Sequence, residues 1–124
     1  MSWILLGVAG AAGAVARLLV GGWARGRSGP RPFHWGTFAV NVTGAFLLGL
    51  VTGLGTGRGL LSAEVKLVLG TGFLGAYTTF STWQLDLYQA LRRGDATTAL
   101  LNLALSAGLG LLAAWTGLAV GWGR

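Results

Sequence analysis

Residues 75 to 82, Gly-Ala-Tyr-Thr-Thr-Phe-Ser-Thr, lie at the middle of an apolar segment that runs from Ala63 to Leu91. As a straight helix this segment would be about 43 Å long, at 1.5 Å per residue. The hydrocarbon core of a bilayer is only about 30 Å thick. Four of the five residues at 78–82 carry hydroxyl groups and glycines precede them, a composition that disfavours helix. The segment therefore predicts a helix that breaks near its midpoint, within residues 75–79.

A break at this depth has consequences for the backbone, because it frees carbonyl groups from their helical partners. Non-helical backbone at membrane depth is tolerated only where it is buried in protein or lines a cavity. Broken helices with carbonyls near the midplane are a recurring form of ion site. The alternative is a continuous, tilted helix whose hydroxyls bond to carbonyls of their own turn.

Three further apolar segments flank this one, and each is long enough to cross a bilayer as a helix. They run from about Trp3 to Trp23, from Trp35 to about Gly55, and from Ala96 to Val120. The chain is short enough for a single domain, residues 1–124. The predicted fold class is therefore an all-α membrane protein with four transmembrane helices, the third of them broken.

The links between the segments are short and polar. Residues 25–32 are predicted to form a loop from their Gly and Pro content, and residues 56–59 a tight connection. At residues 92–95, Gly94 is predicted to stop one helix and Asp95 to cap the next. Tryptophans at the segment ends fit an aromatic belt at headgroup depth: Trp3, Trp23, Trp35 and Trp122.

The composition agrees with a membrane location. Apolar residues make up 53% of the chain and charged residues 10%, against about 25% charged residues in a soluble domain. The 23 glycines suit closely packed membrane helices. The absence of Cys excludes disulfides, thiolate metal sites and Cys nucleophiles. No basic residue precedes the first apolar run, which argues against a cleavable signal peptide.

The net charge of +6 has two interpretations: anchoring to lipid headgroups, or a positive potential that attracts anions to an opening. The nine basic residues are scattered, so nucleic acid is not an expected partner. With four spans, the basic residues of the links and termini fall on two sides of the membrane. Those on one side are Arg25, Arg27, Arg31, Arg92 and Arg93, and those on the other are Arg58, Lys66 and Arg124. This small difference mildly favours cytoplasmic first and third links, and it also fits a chain that inserts both ways.

Few residues could perform catalysis. The chain has three acids and one histidine, His34, and no carboxylate pair, metal cluster or Ser-His-acid set can be assembled inside the membrane. We therefore expect that the protein is not an enzyme.

Polar residues instead form stripes along the apolar segments, by steps of three, four and seven residues. The three stripes are Thr37, Asn41, Leu48 and Thr52; Phe80, Trp83 and Asp86; and Thr98, Asn102, Ser106 and Gly110. Such residues either line an ion pathway or hydrogen-bond between packed helices. Hydroxyl and amide donors and aromatic ring edges suit an anion. Arg17 could snorkel to the interface or face the bundle. The Gly49-x-x-x-Gly53 and Gly117-x-x-x-Gly121 motifs would serve contacts within one chain or between two.

Three stretches resemble the Fluc (CrcB-type) fluoride channels in order and spacing, and the resemblance covers essentially the whole chain. They are Gly10-Ala-Ala-Gly-Ala-Val-Ala-Arg17, Gly36-Thr-Phe-Ala-Val-Asn-Val-Thr-Gly44 and Gly72-Phe-Leu-Gly-Ala-Tyr-Thr-Thr-Phe-Ser-Thr-Trp83. The third is the most specific of the three.

The resemblance implies an antiparallel, dual-topology homodimer in the plasma (inner) membrane, with two pores that conduct fluoride passively and lower its cellular concentration. It also implies one structural sodium ion at the dimer interface, held by backbone carbonyls of Gly75 and Thr78 from each subunit. The pore and fluoride-binding residues expected on this basis and from the stripes are Asn41, Phe80, Trp83, Ser106, Thr37, Thr79 and Asn102. Arg17 and Asp86 are the expected vestibule residues.

This chain departs from the family pattern at three positions. Trp83 replaces the second pore phenylalanine, Asn102 a tyrosine, and Asp86 a glutamate. The indole N–H of Trp83 could donate to the ion directly, or the larger ring could narrow the path. Two other functions compete with the channel. A proton-coupled exporter of similar architecture would need a glutamate in the first segment, which is absent. In a non-conducting accessory subunit the polar stripes would serve only as packing contacts.

Overall fold

The computed structural model describes residues 2–28 and 33–123, which form helices and connecting turns without any β-strand. Helix α1 is Ser2–Ser28, and α2 is Trp35–Thr52, continued by a π-helical turn, Gly53–Gly57. The third region consists of α3 (Ala63–Lys66), a π-helical stretch (Leu67–Leu74), α4 (Gly75–Tyr77) and, beyond a break, α5 (Phe80–Arg92). Helix α6 is Ala96–Trp122. The all-α class predicted from the sequence is confirmed.

Three helical stretches in the described residues are long and apolar enough to cross a membrane: Trp3–Arg27, Trp35–Gly57 and Ala96–Trp122. Their outer faces carry large apolar side chains that have no protein neighbour to cover them, such as Ile4, Leu18, Leu100 and Leu111. An apolar surface this extensive is unfavourable in water and favourable in lipid. The third predicted segment, residues 63–91, is divided into shorter helices and does not form one continuous span.

The first helix is longer than the sequence predicted. Residues 25–32 were expected to form a loop, but α1 continues through Ser28, so that expectation is wrong for residues 25–28. Residues 29–32 lie outside the described part of the chain. Arginine is a good helix former, and Arg25 and Arg27 lie in the last turn, where positive charge complements the helix dipole. The guanidinium of Arg27 also lies 5.2 Å from the centre of the Trp23 ring, one turn earlier.

Helices α2 and α6 pack closely through their two Gly-x-x-x-Gly motifs. A Cβ atom added at Gly117 would lie 3.0 Å from the backbone nitrogen of Leu50, and one added at Gly121 would lie 3.1 Å from the Cα of Gly53. These distances leave no space for a side chain, so the two backbones touch. Both motifs therefore serve contacts within the chain, one of the two uses that the sequence left open.

The small residues of α1 allow it to pack against the third region. A Cβ atom at Gly13 would lie 3.2 Å from the Cα of Phe73, and one at Gly72 would lie 3.1 Å from the Cβ of Ala9. Around this contact Val40, Leu74 and Tyr77 form the buried core. Close packing on both sides holds the third region in place immediately before its break.

The connections differ slightly from those predicted. Thr56 and Gly57 belong to the π-helical turn, so the tight connection expected at 56–59 begins only at Arg58, with Gly59 at a φ of +66°. Between α5 and α6, Gly94 has a φ of +76°, which glycine adopts without strain. The Oδ1 atom of Asp95 accepts a hydrogen bond from the Thr98 N–H at 3.1 Å, which confirms the predicted cap of α6.

Candidate functional site around the helix break

The third region opens at two consecutive threonines. Helix α4 ends at Tyr77; Thr78 (φ −79°, ψ 156°) and Thr79 (φ −144°, ψ 118°) are extended, and α5 begins at Phe80. The Thr79 hydroxyl accepts a hydrogen bond from the Thr82 N–H at 3.3 Å, which caps the new helix. The predicted break is present, and it lies within the predicted range.

The side chain of Asn41 in α2 forms hydrogen bonds with both the carbonyl and the N–H of Thr79. Its Nδ2 donates to the Thr79 carbonyl at 2.9 Å, and its Oδ1 accepts from the Thr79 N–H at 2.8 Å. In a continuous helix these two backbone groups would bond to their own chain. The break leaves the Thr79 N–H without its helical acceptor, and the Asn41 oxygen takes that place, which stabilises the break at a depth where unpaired groups are costly.

Two backbone carbonyls lose their helical partners as a result. The N–H that would pair with the Gly75 carbonyl in a continuous helix is that of Thr79, and it donates to Asn41 instead. The N–H that would pair with the Thr78 carbonyl is that of Thr82, and it donates to the Thr79 hydroxyl. Gly75 and Thr78 are the two residues whose carbonyls were expected to hold sodium. Both border an open cavity of about 320 Å³.

This first cavity brings together many of the predicted site residues. Its lining includes Asn41, Thr79, Phe80 and Trp83, besides Gly75 and Thr78. Phe80 has 69% of its surface exposed in the single chain. Its ring meets that of Trp83 at a centroid distance of 5.7 Å and an angle of 64°, an edge-to-face arrangement. The positive ring edges and the polar break therefore share one open face.

Trp83, Asn102 and Ser106 form a hydrogen-bonded group between α5 and α6. The indole Nε1 of Trp83 donates to the Asn102 Oδ1 at 3.1 Å, and the Ser106 hydroxyl donates to the same oxygen at 2.8 Å. Asn102 is only 2% exposed. The indole N–H thus has a partner within the protein. Direct donation to the ion was one of the two roles that the sequence left open for Trp83, the other being a path narrowed by the larger ring.

A second cavity, of about 170 Å³, lies on the other side of Thr79. Glycine and apolar residues form part of its lining, and its polar residues are Arg17 and Arg25 of α1, Thr37 of α2, Thr79 of the break and Thr82 of α5. Arg17 therefore faces the bundle, one of the two positions that the sequence allowed. Thr79 borders both cavities, so hydroxyl and amide groups run from the arginines to the aromatic pair.

Asp86, the other predicted vestibule residue, is buried beside His34. The Nε2 of His34 lies 3.7 Å from the Asp86 Oδ1. The second carboxylate oxygen of Asp86 and the Nδ1 of His34 are buried without a hydrogen-bond partner. In the described residues, no group of three His, Cys, Asp or Glu side chains could hold a metal ion. Any cation at the break would therefore depend on backbone and hydroxyl oxygens.

Some residues of the predicted stripes have other contacts. The Thr52 hydroxyl donates to the Leu48 carbonyl of its own helix at 2.8 Å, and the Thr98 hydroxyl donates to Asp95 at 2.6 Å. Neither side chain lines the cavities at the break. Their periodicity was correct, but position on one helical face does not determine which neighbour a hydroxyl meets.

Three residues near the site were not predicted from the sequence: Arg25, Thr82 and His34. Arg25 was assigned to a loop, yet Arg17, Gly21 and Arg25 follow at intervals of four and line the second cavity together. That spacing is a helical signal which could have identified Arg25. His34 is the only histidine of the chain, but its contact with Asp86 depends on tertiary packing and leaves no local signal.

The fold and the site together define a helical membrane protein with a broken helix, whose freed carbonyls, amide and hydroxyl donors and ring edges border one cavity. The family model for "CrcB-like protein, Camphor Resistance (CrcB)" matches residues 4–118. The chain belongs to the CrcB family.

Curated relatives cover the chain almost completely. It is 73% identical over its full length, and that of the relative, to a protein of Symbiobacterium thermophilum named "Fluoride-specific ion channel FluC 1". It is 47% identical to "Fluoride-specific ion channel FluC" of Acidobacterium capsulatum, over 96% of this chain and 93% of the relative. The protein of the same name from Rhizobium etli is 44% identical, over 94% and 93%.

Proposed function

We propose that this protein is a fluoride-selective ion channel that exports fluoride passively and so lowers its concentration and toxicity in the cell. The observation that carries the proposal is the break at Thr78 and Thr79, where amide, hydroxyl and ring-edge groups border a common cavity in a chain of the CrcB family. Relatives that are 44–73% identical are named fluoride-specific ion channels, and the identity of the ion in this proposal comes from those names.

The chemistry of the site suits a small, strongly hydrated anion. Fluoride leaves water only if donors replace its hydration shell. Along the proposed path, Arg17 and Arg25 attract the anion. The Nδ2 of Asn41 has two N–H groups, of which one donates to the Thr79 carbonyl and the other is available to the ion. Beyond the break, the edges of Phe80 and Trp83 present the positive part of their quadrupoles. Ser106, which donates to the Asn102 oxygen that Trp83 also contacts, would lie near the far end of this path.

The proposed assembly is an antiparallel homodimer in the plasma membrane, with each chain crossing four times. Residues 63–92 would provide the third crossing as two helices separated by the break. In the single chain Phe80 and the first cavity are open on one face. A second copy of the chain, related by a twofold axis through the break, would close that face and complete two ion paths.

The break also suits a structural sodium ion on this twofold axis. The carbonyls of Gly75 and Thr78, freed by the bonds of Thr79 and Thr82, would be contributed by each subunit. Neutral carbonyl oxygens without a carboxylate favour a monovalent cation, whose charge would offset the cost of an anion near the midplane. If sodium is needed but not transported, replacing it on both sides by a bulky organic cation should abolish fluoride flux.

Efflux from liposomes tests the proposed function. Purified protein is reconstituted in liposomes loaded with potassium and sodium fluoride, and an ion-selective electrode follows fluoride release after valinomycin is added. Rapid release of fluoride, without release of chloride from matched liposomes, is expected. Release that requires an imposed proton gradient would indicate an exporter, and no release of either ion would indicate a non-conducting subunit.

A further inference from the structure

We propose that Asn102 is a positioning residue for the ion path: its amide oxygen fixes the indole of Trp83 and the hydroxyl of Ser106. The inference rests on the proposed channel function and adds a role for a residue that does not border the cavity at the break. The hydrogen bond from Trp83 to Asn102 connects two of the three positions at which the chain departs from the family pattern.

The chemistry of the three side chains fixes the direction of each hydrogen bond. An indole N–H can only donate, so the amide of Asn102 must present its oxygen to Trp83. The same oxygen can only accept, so Ser106 must donate to it. The distances are 3.1 Å from the indole nitrogen and 2.8 Å from the hydroxyl oxygen. One buried acceptor therefore orients two donors from two helices.

The position of Trp83 explains why its orientation matters. The side chain borders the cavity at the break, and its ring meets Phe80 in an edge-to-face contact. If the indole turned about its χ angles, the ring edge beside the ion path would change place. With its N–H bound to Asn102, the indole has a fixed orientation, and the ring rather than the N–H is available to the path. A buried hydrogen bond in a low-dielectric surrounding resists such a rotation.

A simple packing role would predict a different outcome. Hydrogen bonds between membrane helices commonly hold them together, and their loss weakens association without any specific effect on an ion path. Helix α6 is already fixed against α2 by close backbone contact at Gly117 and Gly121. Loss of the Trp83–Asn102 bond should therefore leave the fold intact and change the orientation of the indole.

A double-mutant cycle measures the coupling. Wild type, Trp83→Phe, Asn102→Leu and the double variant are reconstituted, and their rates of fluoride efflux are compared. We expect each single variant to conduct at least tenfold more slowly than wild type, and the double variant no more slowly than the slower single variant. Trp115→Phe on the exposed face of α6 is the matched control, expected to conduct at the wild-type rate.

The indole N–H provides a readout independent of flux. In spectra of protein labelled with ¹⁵N at its tryptophans, the signal missing from Trp83→Phe identifies the Trp83 N–H. In Asn102→Leu this signal should shift upfield and exchange faster with deuterated water, while the elution volume of the protein stays unchanged. If Asn102→Leu elutes abnormally, Asn102→Ala removes the same acceptor without adding bulk, and the same shift and loss of flux are expected.

Three results would overturn the positioning role. If the reduction in efflux rate in the double variant equals the product of the two single reductions, the two residues act separately. Wild-type flux in the Asn102 variant, or an unchanged Trp83 signal, would mean that the bond does not control the ring. A wild-type protein that conducts no fluoride would instead refute the proposed function itself.

Discussion

Asn41 holds the backbone of Thr79 with both its amide oxygen and its amide nitrogen, and it thereby helps to fix the shape of the break. Its oxygen replaces the helical acceptor that the Thr79 N–H has lost, and its Nδ2 adds a donor to the Thr79 carbonyl. The residue was predicted as a pore residue from its place on a polar stripe. Its partner lies 38 residues away, and only the packing of α2 against the break brings the two together.

Asn41→Asp is expected to reduce fluoride efflux at least tenfold. A carboxylate can still accept from the Thr79 N–H, but it cannot donate to the Thr79 carbonyl, and the loss of one such hydrogen bond costs about 0.5–1.5 kcal/mol. The added negative charge would also repel an anion. The measurement is the initial rate of fluoride release from liposomes with equal amounts of protein.

The matched control is Thr116→Val. Its hydroxyl is exposed and donates to the Leu112 carbonyl of its own helix, so flux should stay at the wild-type level. Wild-type flux in Asn41→Asp, with the variant correctly assembled, would show that neither the clamp on Thr79 nor the charge at this position matters.

At the level of secondary structure, the third region must pack closely against α1 before the break and leave the helical conformation at the break. Before the break, glycines allow α1 to approach the backbone of the third region closely. At the break, Thr78 and Thr79 adopt extended conformations, and the hydroxyl of Thr79 starts the next helix. Segment length and Gly and hydroxyl content predicted this break from the sequence alone. The end of α1 was not predicted, because the Gly and Pro content of residues 25–32 was given more weight than the helical preference of its arginines.

Gly117→Ala should destabilise the contact between α2 and α6. The added Cβ would meet the carbonyl group of Phe46, with the carbonyl carbon at 2.9 Å, and backbone cannot move aside as a flexible side chain can. Overpacking of this kind costs about 1–3 kcal/mol. The measurement is the fraction of protein that keeps its elution volume after heating.

Gly26→Ala is the control for this variant. No atom lies within 4 Å of a Cβ at Gly26, so alanine should stabilise α1 by up to about 1 kcal/mol. A Gly117→Ala protein as heat-resistant as wild type would contradict the close contact of the two backbones.

The cap of α6 should make stability depend on acid pH. Hydrogen bonds from the Thr98 side chain and backbone lower the pKa of Asp95 below its usual value, about 3.9 in an unfolded chain. Because the folded pKa is depressed, the charged carboxylate stabilises the fold above the unfolded pKa, and this contribution is lost as the pH falls through the folded pKa.

Wild type should therefore have a higher Tm than Asp95→Asn at pH 7, and the difference should vanish at acid pH. Asparagine keeps a capping oxygen but has no charge to lose, so it isolates the titration. Thermal unfolding of both proteins from pH 7 down to the acid limit of the detergent is the measurement. A difference that stays constant with pH would refute the assignment.

For the whole molecule, the distribution of basic residues between the two ends of the helices affects the orientation of the chain in the membrane. Arg25, Arg27, Arg92 and Arg93 lie at the ends of helices α1 and α5, whereas Arg58 and Lys66 lie at the opposite connection. Arg31 and Arg124 lie outside the described residues. A small difference in charge between the two sides gives the chain little preference for one orientation. An antiparallel dimer needs both orientations in one membrane.

A single added cysteine can measure the orientation, because the chain has none. With a cysteine appended after Arg124, an impermeant maleimide should label about half of the protein in sealed vesicles and the rest after permeabilisation, as the weak charge bias predicts. A second protein with the cysteine placed before Met1 should give the same proportions. Complete labelling, or none, before permeabilisation would show a fixed orientation and exclude the antiparallel homodimer.

If fluoride moves passively past the broken helix, the reversal potential of the current identifies it as the ion that crosses. The wild-type protein is placed in a planar bilayer with sodium fluoride at unequal concentrations on the two sides. We expect a current that reverses at the equilibrium potential of fluoride and keeps that value when chloride is added to one side. A current that reverses at the equilibrium potential of sodium, or that shifts with chloride, would show that the protein is not a fluoride-selective channel.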